Sequence, residues 1–229
     1  MIVNDLSNDR LRFLQLHLGG DRNFHYLIGC RETGLAAAVD PGFDPEGFQR
    51  IAQSEGLEIR EILVTHGHDD HTGGCDALAS MAGARIRAGL DDRVPGAEPV
   101  LDGMVIEVGE LAIECLWTPG HSPGHTCYLC EEFLITGDLL FCGKVGGTGD
   151  YFPGSDARKE WDSLQRLLQL PPDTRVFPGH DYYGGEGDMK DSTIGFEAGH
   201  NPFLTAGEFD AFLHLKENWA TYKKEHGIR

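Results

Sequence analysis

The segment from Thr65 to Gly74, THGHDDHTGG, constrains the fold of this chain more than any other part of the sequence. It places three histidines and two aspartates directly after the apolar run 62–64. This order predicts a buried strand that ends in a polar loop at the edge of a sheet. His66 and His68 stand two residues apart, so on extended backbone their side chains point the same way and can share one metal ion. Imidazole and carboxylate ligands suit zinc, iron or manganese.

Asp70 and His71 lie further round this loop and can reach a second ion, but one loop cannot complete two coordination shells. The remaining ligands are expected at the ends of other strands. His121 follows Thr-Pro-Gly, Asp138 follows Ile-Thr-Gly and His180 follows Phe-Pro-Gly, each after an apolar run and a turn residue. We therefore expect these side chains to share one sheet edge with the loop. The predicted ligand set for two divalent metal ions is His66, His68, Asp70, His71, His121, Asp138 and His180.

Strand-like and helix-like patterns alternate along the chain. Turn-bounded apolar segments predict strands at 11–18, 24–30, 35–39, 62–64, 84–88, 104–117 as a hairpin, 125–130, 133–136 and 175–177. Helical spacing predicts helices at 45–54, through Met81, at 155–170 with a capping serine, and from 206 or 207 to 224. Two strand-rich halves, each followed by helices, predict an α/β sandwich covered on both faces. We expect a single domain over residues 1–229, which is the length of one large domain.

The charge of the chain limits its partners. It carries 19 basic and 37 acidic residues, a formal net charge of -18, which repels phosphate backbones, so nucleic acid is not an expected partner. The N-terminus has no basic stretch followed by an apolar run, and no apolar stretch approaches the roughly 20 residues of a membrane span. We therefore expect a cytoplasmic protein with no membrane partner and with its six cysteines reduced. The CxxC pair Cys127 and Cys130 is expected to be buried core.

The HxHxDH loop followed by His, Asp and His resembles the metallo-β-lactamase superfamily over most of the chain. The resemblance implies an αββα sandwich, with two mixed sheets flanked by helices. It also implies that one ion is held by His66, His68 and His121 and the other by Asp70, His71 and His180, with Asp138 bridging both. Two ions held in this way lower the pKa of a bound water towards about 7 and generate hydroxide as the nucleophile. Asp70 is expected to orient this water, and zinc is the favoured metal, with iron or manganese as alternatives.

The residues around these ligands most resemble the glyoxalase II group, the hydroxyacylglutathione hydrolases, which cleave thioesters of glutathione. Thr65, Gly73-Gly74 and the run 118–125, TPGHSPGH, carry this resemblance. The leading hypothesis is therefore a metal-dependent hydrolase that cleaves a small S-acylglutathione-like thioester by attack of metal-bound hydroxide. The chain after His180 is too short for the helical glutathione-binding domain of long glyoxalase II enzymes, which implies a likeness to the short bacterial form.

The same resemblance suggests residues that hold the thiol part of the substrate. In that family a lysine and an aromatic residue follow the bridging aspartate, and Lys144 and Tyr151 are the candidates here. Tyr182 is a third expected substrate-binding residue. The Val-Gly-Gly-Thr stretch at 145–148 departs from the family pattern, so the identity of the thiol stays open. Asp40, at another predicted strand end, resembles the first superfamily motif and is expected to support the ligands.

Two other functions compete with this hypothesis. An iron-dependent persulfide dioxygenase, which oxidises glutathione persulfide with oxygen, has a similar region after the last ligand, here 180–182, 192–193, Glu197 and 201–202. Against it, the Gly-Cys-Gly-Arg stretch of that family is missing, and Lys144 stands where an arginine is expected. A non-catalytic or electron-transfer module is disfavoured by the intact ligand set. The sequence does not indicate the oligomeric state.

Overall fold

The structure, a computed structural model, describes residues 2–19, 22–182 and 190–228. The strands are β1 (Ile2–Asp5), β2 (Leu11–Leu16), β3 (His25–Cys30), β4 (Leu35–Val39), β5 (Glu58–Val64), β6 (Arg85–Gly89), β7 (Glu98–Val100), β8 (Val105–Val108), β9 (Leu111–Trp117), β10 (Thr126–Cys130), β11 (Phe133–Gly137), β12 (Leu140–Phe141), β13 (Lys144–Val145), β14 (Arg175–Pro178) and β15 (Ser192–Thr193). The helices are α1 (Pro45–Ser54), α2 (Asp69–Thr72), α3 (Cys75–Ala82), α4 (Ala157–Leu167), α5 (Ile194–His200), α6 (Phe209–Glu217) and α7 (Trp219–His226), with a 3₁₀ turn at Leu90–Asp92.

Strands β1 to β7 form a mixed sheet in chain order. β1 to β4 pair antiparallel, whereas β4, β5, β6 and β7 pair parallel. Parallel pairing requires a crossover, which α1 provides between β4 and β5 and α3 between β5 and β6. α1 is capped by Asp44, whose carboxylate accepts a hydrogen bond from the Gly47 N–H, and Pro45 occupies the first turn. The carboxyl ends of β4 and β5 therefore lie side by side.

A second mixed sheet has the order β15-β14-β11-β10-β9-β8. β8 to β11 form an antiparallel meander, and β14 returns through α4 to pair parallel with β11. β9, β11 and β14 consequently run in the same direction, so their carboxyl ends share one edge. β12 and β13 form a small hairpin after β11.

The two sheets pack face to face around an aromatic core. The ring of Phe13 lies 4.5 Å from that of Phe133 and 4.7 Å from that of Phe177, measured between centroids. A fully buried phenylalanine of this kind contributes about 3–5 kcal/mol relative to alanine. The outer face of the first sheet packs against α1 and α3 through Phe48 and Leu78, and that of the second packs against α4, α5 and α6. These four layers confirm the predicted αββα sandwich.

The helix predicted at 155–170 is α4, but its cap is Asp156 instead of Ser155. The Asp156 carboxylate accepts hydrogen bonds from two N–H groups of the first turn. The Ser155 hydroxyl is already engaged, because it accepts a hydrogen bond from the Gly149 N–H. The Ser155 hydroxyl is turned towards the preceding loop and not towards the first helical turn, and the next residue takes the cap position.

The prediction of one continuous helix from 206 or 207 to 224 was wrong, because the segment forms two helices, α6 and α7, which are separated at Asn218. The Asn218 side chain donates to the carbonyl oxygen of His214, one turn earlier, and so competes with the helical backbone bond. The short β15 and the following α5 were not predicted. These elements fold back onto the second sheet and bring the C-terminal residues close to its carboxyl edge.

All six cysteines are buried and none forms a disulfide, which confirms the expectation that Cys127 and Cys130 are core residues. In the part of the chain that the structure describes, no helix has the length and apolar character needed to cross a membrane.

Candidate metal centre

Loops that follow strands of both sheets meet at one edge of the sandwich. In the first sheet, β4 is followed by Asp40 and β5 by the loop that carries His66. In the second sheet, β9 leads to His121, β11 to Asp138 and β14 to His180. The topology places all of these strand ends at the same edge, so side chains far apart in the sequence come together there.

His66, His68 and His121 form a three-histidine cluster. Each offers a ring nitrogen, and these nitrogens lie within 4.8 Å of one another. The Nδ1 of His121 donates a hydrogen bond of 2.8 Å to the carbonyl oxygen of Gly147. Burial lowers the pKa of His121 to about 4, so the ring is neutral and its Nε2 carries a free lone pair. That Nε2 faces the cluster, 3.2 Å from the Nδ1 of His68.

Asp70, His71 and His180 form a second cluster, with ligand-type atoms again within 4.8 Å of one another. The Nε2 atoms of His71 and His180 are 3.3 Å apart, and the Oδ2 of Asp70 lies 3.2 Å from the His180 Nε2. Asn23 holds this carboxylate in place by donating from its Nδ2 to the Asp70 Oδ2 over 3.0 Å.

Asp138 lies between the two clusters. Its Oδ1 is 3.5 Å from the Nε2 of His71, and its Oδ2 is 3.3 Å from the Nε2 of His180. The same Oδ2 lies 3.8 Å from the Nε2 of His121. One carboxylate thus presents an oxygen to side chains of both groups.

The polar atoms at this centre fit a divalent cation. Two of them, the Nε2 of His66 and the Oδ1 of Asp138, are buried and have no hydrogen-bond partner. A buried polar atom without a partner costs about 1–3 kcal/mol. A cation that accepts lone pairs from imidazole nitrogens and carboxylate oxygens would satisfy these atoms. The clusters therefore indicate divalent metal binding.

Asp40 lies behind the second cluster and is completely buried. Its Oδ1 accepts a hydrogen bond of 2.7 Å from the Thr65 N–H, and its Oδ2 accepts one of 2.6 Å from the Thr65 hydroxyl. The same Oδ2 lies 2.9 Å from the Nδ1 of His71, which donates to it. This bond fixes the tautomer of His71 and turns its Nε2 towards the centre.

The carboxylates control the charge state of the centre. Burial lowers the pKa of His66 well below its ordinary value. Burial would also lower the pKa of His180, but Asp138 and Asp70 outweigh it and raise that pKa to about 10. Burial would raise the pKa of Asp70, yet its hydrogen bond to His180 and the charge of His71 hold that pKa below its usual range. The carboxylates and the imidazoles of the second cluster thus stabilise each other's charged forms.

A cavity of about 720 Å³ opens above this centre. Candidate ligands form its floor, and the ring of Phe152, 5.0 Å from that of His121, forms one wall. The C-terminal helices also contribute to the lining, which includes Trp219. Lys144 and Lys216 are cationic side chains of the lining.

Comparison with known proteins identifies the family. The sequence profile of the metallo-beta-lactamase superfamily matches residues 19–180, which include all seven predicted ligands. The chain belongs to this superfamily. The resemblance predicted from the HxHxDH loop is confirmed.

The chain is similar in sequence to curated hydroxyacylglutathione hydrolases. It is 41% identical over 169 residues to a hydroxyacylglutathione hydrolase from Polaromonas sp., an alignment that covers 70% of this chain and 63% of the relative. The chain thus spans less than two thirds of the length of that relative. The similarity confirms the predicted likeness to the glyoxalase II group.

Two solved structures share the fold. ETHE1 from Myxococcus xanthus superposes with a TM-score of 0.83 at 31% identity, covering 90% of each chain. TTHA1623 in a di-iron-bound form gives a TM-score of 0.70 at 33% identity, covering 83% of this chain and 99% of the other. The similarity to ETHE1 supports the predicted persulfide dioxygenase-like features.

The residues predicted to bind substrate in this metallo-β-lactamase-fold chain fall into two groups. Lys144 and Tyr182 line the cavity. The ring of Tyr182 stacks on that of His180 at 4.5 Å, and the Nζ of Lys144 lies 4.9 Å from the centre of the Tyr182 ring. The structure does not bring Tyr151 to them, because its side chain is 94% exposed and lies outside the cavity lining. The neighbouring Phe152 points inward instead.

Sequence reasoning missed the cavity residues Phe152, Lys216 and Trp219. Phe152 directly follows Tyr151, the aromatic residue that was predicted. The sequence pattern therefore located the correct segment, but it selected the residue whose side chain faces solvent. Lys216 and Trp219 follow the last candidate ligand by more than thirty residues. They carry no motif, and only the folding of α6 and α7 onto the second sheet places them here.

Proposed function

We propose that this chain is a metal-dependent hydrolase of the glyoxalase II type, which cleaves a small thioester such as an S-acylglutathione. One observation carries the proposal: seven imidazole and carboxylate side chains come together, and five of them line a cavity, in a chain that is 41% identical to a hydroxyacylglutathione hydrolase. The shared region covers only 63% of that relative. The proposal therefore rests on the residues of this site and not on similarity over the whole length of the relative.

The two clusters define the proposed metal sites. His66, His68 and His121 hold one ion, Asp70, His71 and His180 hold the other, and Asp138 contributes to both. Zinc is the favoured metal because nitrogen and oxygen donors of this kind suit it, and the similarity to a di-iron-bound structure makes iron the alternative. When bound, the ions supply Lewis acidity, which polarises a carbonyl group and makes water a stronger acid.

Thioester hydrolysis requires water to add to the carbonyl carbon, the C–S bond to break and a proton to reach the leaving sulfur. Asp70 lines the cavity and stays ionised at neutral pH because its pKa is lowered. Its carboxylate can orient the attacking water by accepting a hydrogen bond from it. Phe152 and Trp219 line the same cavity and make part of its wall apolar.

Lys144 and Tyr182 are proposed to hold the thiol part of the substrate. Burial lowers the pKa of Lys144, and its ammonium lies over the Tyr182 ring beside His180. A cation at this wall of the cavity suits a carboxylate of a peptide thiol such as glutathione. If these residues only bind, Lys144→Ala should raise KM more than it lowers kcat, and Tyr151→Phe, at an exposed position outside the cavity, should leave both unchanged.

A persulfide dioxygenase is the second candidate, and the superposition with ETHE1 at a TM-score of 0.83 favours it. The two activities differ in their reactants, because only the dioxygenase consumes oxygen. The seven candidate ligands do not discriminate between them, so the choice depends on the substrate.

The test measures both reactions on one preparation. Zinc-loaded and iron-loaded enzyme is assayed for cleavage of S-lactoylglutathione and, separately, for oxygen uptake with glutathione persulfide. Thioester turnover without oxygen uptake is expected, and it should disappear together with bound metal in His66→Ala and Asp138→Ala. Oxygen uptake without thioester cleavage would establish the dioxygenase instead. Full activity in either variant would refute the assigned site.

A further inference from the structure

Asp92 connects two loops that carry the three-histidine cluster. It ends the 3₁₀ turn after β6, so it lies in the connection between two strands of the first sheet, β6 and β7. Its Oδ2 accepts a hydrogen bond of 2.9 Å from the N–H of Gly67, the residue between His66 and His68. The carboxylate therefore holds the backbone from which both of these rings project.

The same carboxylate reaches the second sheet. Its Oδ2 accepts a hydrogen bond of 2.7 Å from the hydroxyl of Ser122, which directly follows His121, and its Oδ1 accepts one of 2.7 Å from the Gly124 N–H. One half-buried side chain thus makes three hydrogen bonds, one to the His66 loop and two to the loop of His121.

Both loops are shaped to let Asp92 approach. A Cβ atom on Gly67 would lie 3.1 Å from the backbone oxygen of Asp92, and one on Gly124 would lie 2.5 Å from its backbone nitrogen. The second distance is shorter than any side chain tolerates, so glycine is required at 124. The close packing and the three bonds fix the separation of the two loops.

We infer that Asp92 is a positioning residue that presets the three-histidine cluster for its metal ion. The cluster takes two histidines from the first sheet and one from the second, so its geometry depends on how the two loops are held together. Carboxylates that hold ligand-bearing groups typically affect metal affinity by about 10- to 100-fold. Asp92 has no such link to the Asp70, His71 and His180 cluster in the described residues. The inference rests on the proposed metal-binding role of the histidines.

The variant Asp92→Asn tests this role with little change of volume. An amide presents only one acceptor oxygen, so its NH₂ group must face an N–H donor of Gly67 or Gly124, and one link is lost. Asp91→Asn is the matched control, because Asp91 is the exposed neighbour in the same turn.

The experiment measures zinc affinity of the apoprotein by competition with a chromophoric chelator, in two backgrounds. His180→Ala leaves the three-histidine cluster intact, and His121→Ala leaves the other cluster intact. Asp92→Asn is expected to weaken zinc binding about 10- to 100-fold in the first background and less than about threefold in the second. Asp91→Asn should change neither.

Equal weakening in both backgrounds, or none in either, would overturn the inference. If Asp92→Asn does not fold, Ser122→Ala is tested instead, because it removes one of the three hydrogen bonds. A smaller loss of zinc affinity that is confined to the His180→Ala background supports the role of Asp92. No loss of zinc affinity refutes it. A wild-type chain that binds no zinc or iron would instead refute the proposed metal centre, which is a separate failure.

Discussion

At the scale of single residues, carboxylates outside the cavity organise the centre. Asp40 is buried, and its two oxygens accept hydrogen bonds from the N–H and hydroxyl of Thr65 and from the Nδ1 of His71. Its backbone φ is +51°, a conformation that aspartate and asparagine tolerate better than most residues. Asp40 therefore both closes the turn after β4 and aims a candidate ligand.

Asp40→Asn should weaken zinc binding by about 10- to 100-fold, because the amide cannot accept all three hydrogen bonds and leaves His71 poorly oriented. The unsatisfied donor should also lower the free energy of unfolding by about 1–3 kcal/mol. Chelator competition and urea unfolding measure the two effects. Asp69→Asn serves as the control, because Asp69 is exposed at the start of α2. An unchanged zinc affinity would show that Asp40 has no influence on His71.

At the scale of elements, α4 and α6 meet through an ion pair next to the site. Glu160 of α4 is completely buried, and its partner Lys216 of α6 is nearly so. The Lys216 Nζ also donates to the carbonyl oxygen of Gly146 over 2.7 Å. Gly147, the next residue, accepts the hydrogen bond from His121. The pair thus attaches the C-terminal helices to the loop that orients a candidate ligand.

This pair predicts a pH dependence of stability. Burial raises the pKa of Glu160 to about 7 from its ordinary value of 4.5, although the Lys216 ammonium lowers it. Between these values the folded chain binds the proton that the unfolded chain has lost, so this contribution to stability is present below about pH 4.5 and is lost as the pH rises through about 7. Urea unfolding of EDTA-treated protein at pH 5 and pH 8 should show a larger loss in the wild type than in Glu160→Gln. Equal losses would contradict the assignment.

At the scale of the whole molecule, the centre joins the two sheets. Four candidate ligands come from the loop after β5, and His121, Asp138 and His180 come from the ends of three strands of the other sheet. An ion held by both sets stabilises the folded state, because the unfolded chain does not assemble the site. The sandwich and its metal sites should therefore unfold together.

Removal of metal is expected to lower the melting temperature, and added zinc should restore it. The loss corresponds to about 4 kcal/mol if free metal exceeds Kd by about 1,000-fold. Calorimetry before and after EDTA treatment measures the shift. The double variant His66→Ala/Asp138→Ala should be insensitive to EDTA. If the wild type is equally insensitive, the centre contributes nothing to stability.

The sequence by itself determined the strands and the loops that carry the site. Apolar runs followed by polar or turn-forming residues specify where β4, β5, β9, β11 and β14 end. Asp40 follows β4, and the candidate ligands lie in the loops after the other four strands. This information is local, since it depends on side-chain periodicity and turn chemistry within a few residues. The expectations of a single domain over residues 1–229 and of a cytoplasmic location stay predictions.

Only the tertiary structure decided which other side chains reach the centre. It turned Tyr151 outward and Phe152 inward, and it brought Lys216 and Trp219 from α6 and α7 into the cavity. It also placed Asp92 between two loops that are more than fifty residues apart. Such contacts depend on how packed elements lie in space, and no short-range pattern records that arrangement. The sequence thus specified the proposed ligands, and packing chose the groups that position them and shape the cavity.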